Sequence, residues 1–290
     1  MTLPLLSAAL LAGVFAVAAA GRLTGAPRYL ALGDSLAGSS QAHGGHRRGY
    51  AEQLWRFESR SHAGLVLLKL GRGGETAARM VRSPRPGPSQ LELAEAALRA
   101  HPTELVTIDV GANDVEHCHR GSGFDSRCVD AGLASLNRNL PRVLRRLRRA
   151  APRATPIVGI NYYNSFLGAW VRGRNGRLLA RRSVRVERRI NATLARIYRR
   201  FHIPLADVED AFATDQMHRY VNLAPYGRVP LAVARVCRWT WSCARDGDDH
   251  ANTAGYRVIA RVVERVLRRV HRTPSRSPSG GAAAPDAGIR

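Results

Sequence analysis

The chain has 290 residues, of which 45% are hydrophobic and 23% are charged, and its formal net charge at pH 7 is +23. This length suits one sizeable domain, because a chain of this size buries roughly three quarters of its unfolded surface when it folds. Lys69 is the only lysine, and no basic stripe interleaved with aromatic residues suggests stacking on nucleic-acid bases. The composition therefore argues against nucleic-acid binding and favours weak, salt-sensitive contact with an anionic cell envelope.

Residues 1–20 carry no charge and are rich in Leu, Ala and Val, and three alanines precede Gly21. This pattern is typical of a secretory signal peptide with a small-residue cleavage site, although the usual positive charges at its start are missing. An uncleaved anchor is the alternative, because the apolar stretch approaches the ~20 residues that span a bilayer. We expect export through this segment, a folded domain over 27–272, and a disordered tail rich in Pro, Ser, Gly and Ala over 273–290.

Short apolar runs alternate with helical patterns along the rest of the chain. The runs predict strands at 28–32, 65–70, 105–110, 156–160 and 203–206. Apolar residues at helical spacing, with arginines on the opposite side, predict helices at 49–60, 89–100, 130–150, 183–201 and 253–271. Because the apolar runs are nearly continuous, the strands are expected to be covered on both faces. The order predicts an α/β fold with a central, mostly parallel sheet between helical layers.

The segment Gly33-Asp34-Ser35-Leu36 comes directly after the first predicted strand. Its glycine permits a sharp turn, which would place the Ser35 hydroxyl at the carboxyl edge of the sheet, where ligands bind in open α/β folds. Ser35 is therefore a candidate nucleophile. A Gly-Asp-Ser turn is also common in ordinary loops, so a catalytic role for Ser35 requires suitable partners after the other strands.

Two further segments come after the second and third predicted strands. Gly71-Arg72-Gly73-Gly74 offers backbone N–H groups that can stabilise an oxyanion. The alternatives are a plain strand-to-helix turn and a phosphate-binding loop, although the usual sequence patterns of such loops are absent. Gly111-Ala112-Asn113-Asp114 offers the Asn113 amide as an uncharged donor, and Asp114 is suited to fix the loop through backbone hydrogen bonds. A simple turn that ends the strand is the alternative here.

His250 lies on an acidic loop just before the last predicted helix, where it can approach Ser35 through the fold and act as its base. An acceptor must hold its other ring nitrogen, and Asp246, Asp248 and Asp249 lie just upstream. The alternatives are a cap of the last helix and an acidic metal loop, but the regularly spaced oxygen ligands of a calcium site are missing.

In order and content these four segments resemble the four blocks of the GDSL, or SGNH, hydrolase family, and the similarity runs from about residue 28 to residue 270. The resemblance implies a flavodoxin-like, three-layer α/β/α fold without a metal or other cofactor. It implies that Ser35 and His250 are catalytic and that Ser35, Gly74 and Asn113 form an oxyanion hole. Within the family, secreted actinobacterial esterases and lipases are resembled by the loops flanked by cysteines and by Asn161-Tyr162-Tyr163-Asn164 and Leu167-Gly168-Ala169-Trp170.

The acid that orients the histidine departs from the family pattern. The family has an aspartate three residues before the base, and this chain has Gly247 at that position. We expect Asp248 to orient His250, because variant members of the family resemble Asp-x-His, and Asp246 is the alternative acid. A backbone carbonyl could also fill this role.

The four cysteines form two pairs that are close in sequence, Cys118 with Cys128 and Cys237 with Cys243. Of the three possible connectivities, two local disulfides are the simplest, and they suit an exported protein. A metal site is the alternative, because histidines flank Cys118, but no Cys-x-x-Cys spacing supports zinc.

The sequence predicts a monomeric, secreted carboxylesterase or lipase that acts on small-molecule or lipid esters. A non-catalytic envelope- or carbohydrate-binding module on the same scaffold is the alternative. Aromatic and apolar residues that could line a substrate pocket or its entrance, or belong to the core, are Tyr162, Tyr163, Phe166, Leu167, Trp170, Trp239 and Trp241.

Overall fold

A computed structural model describes residues 25–40, 48–84, 86–244 and 247–272. The expected signal segment at 1–20, the expected tail at 273–290 and the alternative acid Asp246 lie outside the described residues. Within the described ranges, no helix combines the length and the apolar composition needed to cross a bilayer.

Strands and helices alternate along the first two thirds of the chain, as predicted. The described residues form nine strands: β1 (Arg28–Gly33), β2 (Val66–Lys69), β3 (Thr103–Asp109), β4 (His119–Arg120), β5 (Gly123–Phe124), β6 (Ile157–Ile160), β7 (Leu205–Ala206), β8 (Tyr220–Leu223) and β9 (Gly227–Pro230). They also form eight α-helices: α1 (Tyr50–Glu58), α2 (Ala77–Val81), α3 (Gln90–Ala100), α4 (Ser126–Ala150), α5 (Gly173–Arg200), α6 (Val208–Ala211), α7 (Leu231–Trp239) and α8 (Thr253–Arg272). Short 3₁₀ helices cover Ala112–Asp114, Glu116–Cys118 and Ser165–Arg172.

The central sheet is parallel throughout, and its strands lie in the order β2-β1-β3-β6-β7. Leu30 of β1 pairs with Leu68 on one side and with Val106 on the other. The predicted α/β class and all five predicted strands are confirmed. Because β2, β1 and β3 are neighbours, the segments after them emerge side by side at one edge of the sheet.

The sheet is covered on both faces, as its apolar runs predict. The β1 residues Tyr29, Leu30, Ala31 and Leu32 are fully buried. Helix α1 packs on α8, while α2 and α3 pack on α4, which in turn packs on α5. Helix α5 begins ten residues before the predicted start at 183, because Gly173 and nearby polar residues hide its apolar period.

Two disulfides join cysteines that are close in sequence, Cys118 to Cys128 and Cys237 to Cys243. The predicted local pairing is confirmed. The alternative metal site loses its thiolate ligand, because the sulfur of Cys118 is bonded to that of Cys128. The first disulfide holds the loop after β3 to the start of α4, and the second lies at the end of α7, close to the segment that leads to His250.

Candidate active site

The turn after β1 requires glycine at position 33. Gly33 has a φ of +141°, which side chains rarely adopt. A Cβ atom there would lie 2.0 Å from the carbonyl oxygen of Asp109, the last residue of β3. The two strand ends are therefore too close for any side chain, and the turn that carries Ser35 is fixed against β3.

Ser35, Asn113 and His250 line one small cavity of about 30 Å³ at this edge of the sheet. The volume is of the order of one water molecule. The segments after β1 and β3 and the loop before α8 thus converge on one point, although they are far apart in sequence. A hydroxyl, an amide and an imidazole surround a space that could hold a reacting group.

Asp248 is the described acid that lies closest to the ring of His250. The Nδ1 atom of His250 is 2.9 Å from Asp248 Oδ1 and 3.2 Å from Asp249 Oδ1. Asp248 Oδ1 also accepts the backbone N–H of His250 at 2.7 Å. A carboxylate that accepts from Nδ1–H leaves Nε2 free to take a proton, which is the tautomer that a general base needs.

Asp34 links the turn of Ser35 to its surroundings. Its Oδ1 accepts the Leu36 N–H at 2.9 Å, and its Oδ2 accepts from the Tyr162 hydroxyl at 2.7 Å and from Asn113 Nδ2 at 3.4 Å. Burial raises the pKa of Asp34 above its ordinary value. The sequence predicts no separate role for Asp34, and its only signal is its place beside Ser35 in the motif.

Asp109 holds the same turn from the end of β3. Its Oδ1 accepts the backbone N–H groups of Asp34 at 3.2 Å and Ala37 at 3.3 Å, and its Oδ2 accepts from the Tyr50 hydroxyl of α1. Burial, and then the charge of Asp34, raise the pKa of Asp109 well above its usual range. An acidic residue at the end of an apolar strand is the sequence signal for such a contact.

Asp114 fixes the loop that carries Asn113, but through a distant partner. Its Oδ2 accepts the backbone N–H of Ala77, at the start of α2, at 3.0 Å. Burial raises the pKa of Asp114 to about 6. The predicted anchoring of this loop to backbone is therefore present, but it joins the loop to the segment after β2 rather than to its own chain neighbours.

Gly74 is the one predicted oxyanion donor that does not line the cavity. It is exposed, and its carbonyl oxygen accepts from Arg79 at 3.2 Å. Its loop nevertheless lies beside the turn of Ser35, because a Cβ atom on Gly71 would come within 2.5 Å of the Gly38 nitrogen. The structure thus brings the glycine-rich loop next to Ser35 without placing Gly74 at the cavity.

Glu116 lines the cavity and is absent from the sequence prediction. Among the described residues its carboxyl group has no hydrogen-bond or ion-pair partner. Burial, and then the charges of Asp249 and Asp34, raise the pKa of Glu116 to about 8. With Ser165 and Asp249 it also borders a second pocket of about 400 Å³, which lies directly beside the cavity of Ser35 and which we call the side pocket.

The aromatic and apolar residues that could line a substrate pocket fall into two groups, those near Ser35 and those elsewhere. Tyr162 and Tyr163 line the cavity of Ser35, and Phe166 lines the side pocket. Leu167 is fully buried in the core, and Trp170 borders a different pocket beside α5. Only the first group is positioned to contact a substrate near Ser35.

The two tryptophans between Cys237 and Cys243 are absent from the lining of both the cavity and the side pocket, which favours the alternative that they pack against the core. Trp239 instead packs edge-on against Phe212 in the core, with ring centroids 5.1 Å apart. Trp241 contributes through its backbone, because its N–H donates to the His250 carbonyl at 3.0 Å.

Comparison with solved structures gives relatives of the same fold. The chain is similar to an extracellular lipase from Streptomyces rimosus, with 18% identity, a TM-score of 0.53, and coverage of 83% of this chain and 100% of that one. It is similar to phospholipase A1 from Streptomyces albidoflavus NA297, with 14% identity and a TM-score of 0.51. This match covers 83% of our chain and 100% of the phospholipase chain. A structure described as a GDSL-like lipase from Parabacteroides merdae has 13% identity and a TM-score of 0.54. This match covers 85% of our chain and 97% of the Parabacteroides chain.

A search of curated proteins finds no match to the chain. A model of the GDSL-like Lipase/Acylhydrolase family matches residues 31–258. The match spans most of the chain, including the segments of Ser35, Asn113 and His250. The chain therefore belongs to the GDSL-like Lipase/Acylhydrolase family, a family of ester hydrolases.

Proposed function

We propose that the protein is a serine carboxylesterase or lipase that forms an acyl-enzyme on Ser35 with His250 as the base. The observation that supports this most directly is that Ser35, Asn113 and His250 line one cavity. The contact of 2.9 Å between His250 Nδ1 and Asp248 Oδ1 adds the acid that such a base requires. Asp248 is accordingly our candidate for the third catalytic residue.

In the first half of the reaction, Ser35 Oγ attacks the ester carbonyl carbon and its proton passes to His250 Nε2. His250 returns this proton to the alcohol oxygen as the carbon–oxygen bond breaks, and the acyl group stays on Ser35. A water molecule then gives a proton to His250 and attacks the acyl carbon. Ser35 takes that proton back as the carboxylic acid leaves, which restores the enzyme.

The Ser35 N–H and the Asn113 amide are our candidates for stabilising the oxyanion. Asn113 Nδ2 carries two hydrogens, and the contact of 3.4 Å with Asp34 uses at most one of them. The Gly74 N–H is the third candidate. It would contribute only if the loop of Gly74 moves toward the cavity, because this residue is exposed and outside the lining.

Asn113→Ala is expected to lower kcat by about 10²–10³-fold, with a smaller change in KM, because it removes a donor that acts mainly on the transition state. Steady-state kinetics with p-nitrophenyl acetate measure the effect. Asn137→Ala on the exposed side of α4 is a matched control. If both asparagine variants have the same kcat, Asn113 is not an oxyanion donor.

The pH dependence of the reaction is expected to include a fall in kcat/KM as the pH rises above about 8. The pKa of Glu116 is raised to about 8, so its carboxyl is mostly protonated at neutral pH and becomes negative above that value. A negative charge at the cavity opposes the developing oxyanion. Glu116→Gln, which stays neutral at every pH, is expected to lose this decrease, and an identical alkaline fall in both proteins would contradict the assignment.

Export of the protein is part of the same proposal. It is supported by the two disulfides, which persist in oxidising compartments, and by the apolar segment at 1–20. The fold relatives from Streptomyces are described as an extracellular lipase and a phospholipase A1. Lipid and other carboxylic esters are therefore the substrates to test first.

The test is hydrolysis of p-nitrophenyl esters of increasing acyl length by the purified protein, together with labelling by a fluorophosphonate. We expect turnover, and we expect mass spectrometry to find the label on the peptide that contains Ser35. Absence of both turnover and labelling in a folded protein would favour the alternative of a non-catalytic binding module.

A further inference from the structure

A further pocket, distinct from the cavity of Ser35 and from the side pocket, is rich in arginine and lies between the start of α4 and the middle of α5. Its volume is about 550 Å³. Four arginines and three apolar residues contribute to its lining. We call it the arginine groove, and its lining residues are Arg181, Arg182, Arg185, Arg189, Phe124, Val129, Val186 and Ser126.

The positive charge of the arginine groove is only partly neutralised. Arg189 forms an ion pair of 2.6 Å with Asp130, and Arg182 donates to the neutral carbonyl of Ser122 at 3.3 Å. Arg185 has no acidic partner among the described residues. The groove therefore offers guanidinium groups that remain available to an anion, and guanidinium groups suit phosphate geometry particularly well.

An exposed leucine continues the same face of α5. Four residues of α5 lie along one side of the helix, because they are spaced four, three and four positions apart. They are Leu178, Arg182, Arg185 and Arg189. Leu178 is 38% exposed, which makes it one of the few large apolar side chains on the described surface. An apolar residue next to a row of arginines is the pattern of a surface that meets lipid head groups.

Packed aromatic rings connect the arginine groove to the side pocket of the candidate active site. Phe124, in the lining of the groove, packs against Phe166 and His119 with ring centroids 5.0 Å and 5.7 Å apart. Phe166 and His119 line the side pocket, which shares Glu116 with the cavity of Ser35. A contact between aromatic rings therefore connects the arginine groove to the side pocket, which borders the cavity of Ser35.

We propose that the arginine groove binds the phosphate head group of an anionic phospholipid and thereby docks the active-site opening on an anionic lipid surface. The arginines would hold the phosphate, while the half-buried Phe124 and Val186 would contact the first methylene groups of the lipid. This apolar lining favours a lipid over a soluble acidic polymer, which would need only the charges. The inference rests on the proposed ester hydrolase function, since docking matters only if the Ser35 site acts on lipid esters.

The experiment measures binding of the full chain carrying Ser35→Ala, so that the vesicles are not consumed, to vesicles of phosphatidylglycerol and of phosphatidylcholine. Binding to phosphatidylglycerol is expected to be tighter and to weaken as salt is raised. Adding Arg182→Gln and Arg185→Gln is expected to weaken it by about 30-fold. The matched control adds Arg261→Gln and Arg265→Gln on the exposed side of α8, with the same change in net charge.

An equal loss of binding for the two arginine pairs would overturn the proposal, because it would show a response to net charge alone. Tight binding to dextran sulfate without binding to phosphatidylglycerol vesicles would overturn it in favour of an acidic polymer. If inorganic phosphate displaced the protein from the vesicles at a concentration equal to that of the lipid phosphate, the groove would be a site for free phosphate. This result would also overturn the proposal. Thermal unfolding shows whether each variant is folded, and p-nitrophenyl acetate turnover by the unsubstituted protein tests the hydrolase function separately.

Discussion

Replacement of Ser35 by alanine is expected to lower kcat for any ester substrate by at least about 10⁴-fold and to abolish fluorophosphonate labelling. The reason is that the proposed covalent intermediate needs an oxygen at this position, and neither His250 nor Asn113 can supply it. Residual turnover would reflect only the binding and oxyanion groups that remain. Single-turnover and steady-state kinetics with p-nitrophenyl esters measure the loss.

Ser165→Ala provides a matched control for this result. Ser165 lines the same cavity but lies on the 3₁₀ helix after β6, away from the turn after β1. It is expected to keep the fluorophosphonate label. Labelling that persists in Ser35→Ala and disappears in Ser165→Ala would move the nucleophile and overturn the proposed mechanism.

Asp248→Asn is expected to lower kcat by about 10²–10⁴-fold, the second largest effect of a single substitution. The amide can donate a hydrogen bond to Nδ1 and so favour the tautomer that has its proton on Nε2, where the base must be free. It also removes the negative charge that stabilises the imidazolium ion. The measurement is kcat against pH for the variant and the unsubstituted protein.

Asp249→Asn is the matched control, because Asp249 Oδ1 is also near the ring, at 3.2 Å, and is more exposed than Asp248. We expect a smaller loss for this variant. A larger loss in Asp249→Asn would assign the acid to Asp249. If both variants retain full activity, then neither orients His250, and Asp246 or a backbone carbonyl takes that role.

The central sheet could be predicted from the sequence because its signals are local. Runs such as the one at 28–32 are apolar along their whole length, as strands covered on both faces must be. Parallel neighbours then bring their carboxyl ends to one edge, so the sequence places Ser35 and Asn113 near each other. The short hairpins β4–β5 and β8–β9 have too few residues to show a period, and they could not be predicted in this way.

The contacts within the site depend on packing between distant segments, which periodicity does not reveal. Tyr162 is expected to line a substrate pocket, and it also donates to Asp34 at 2.7 Å. Glu116 has no motif of its own and reaches the cavity only because the 3₁₀ helix after β3 turns it there. The role of Gly74 stays a prediction, because its loop lies beside the turn of Ser35 while Gly74 itself is outside the lining of the cavity.

The contact from Tyr50 through Asp109 to the backbone of Asp34 connects helix α1 to the turn that carries Ser35. The position of the Ser35 hydroxyl is consequently set by a buried chain of polar groups that begins at Tyr50, outside the lining of the cavity. Laboratory evolution of this enzyme could therefore adjust reactivity through residues beneath helix α1 while the substrate-contacting surface stays unaltered.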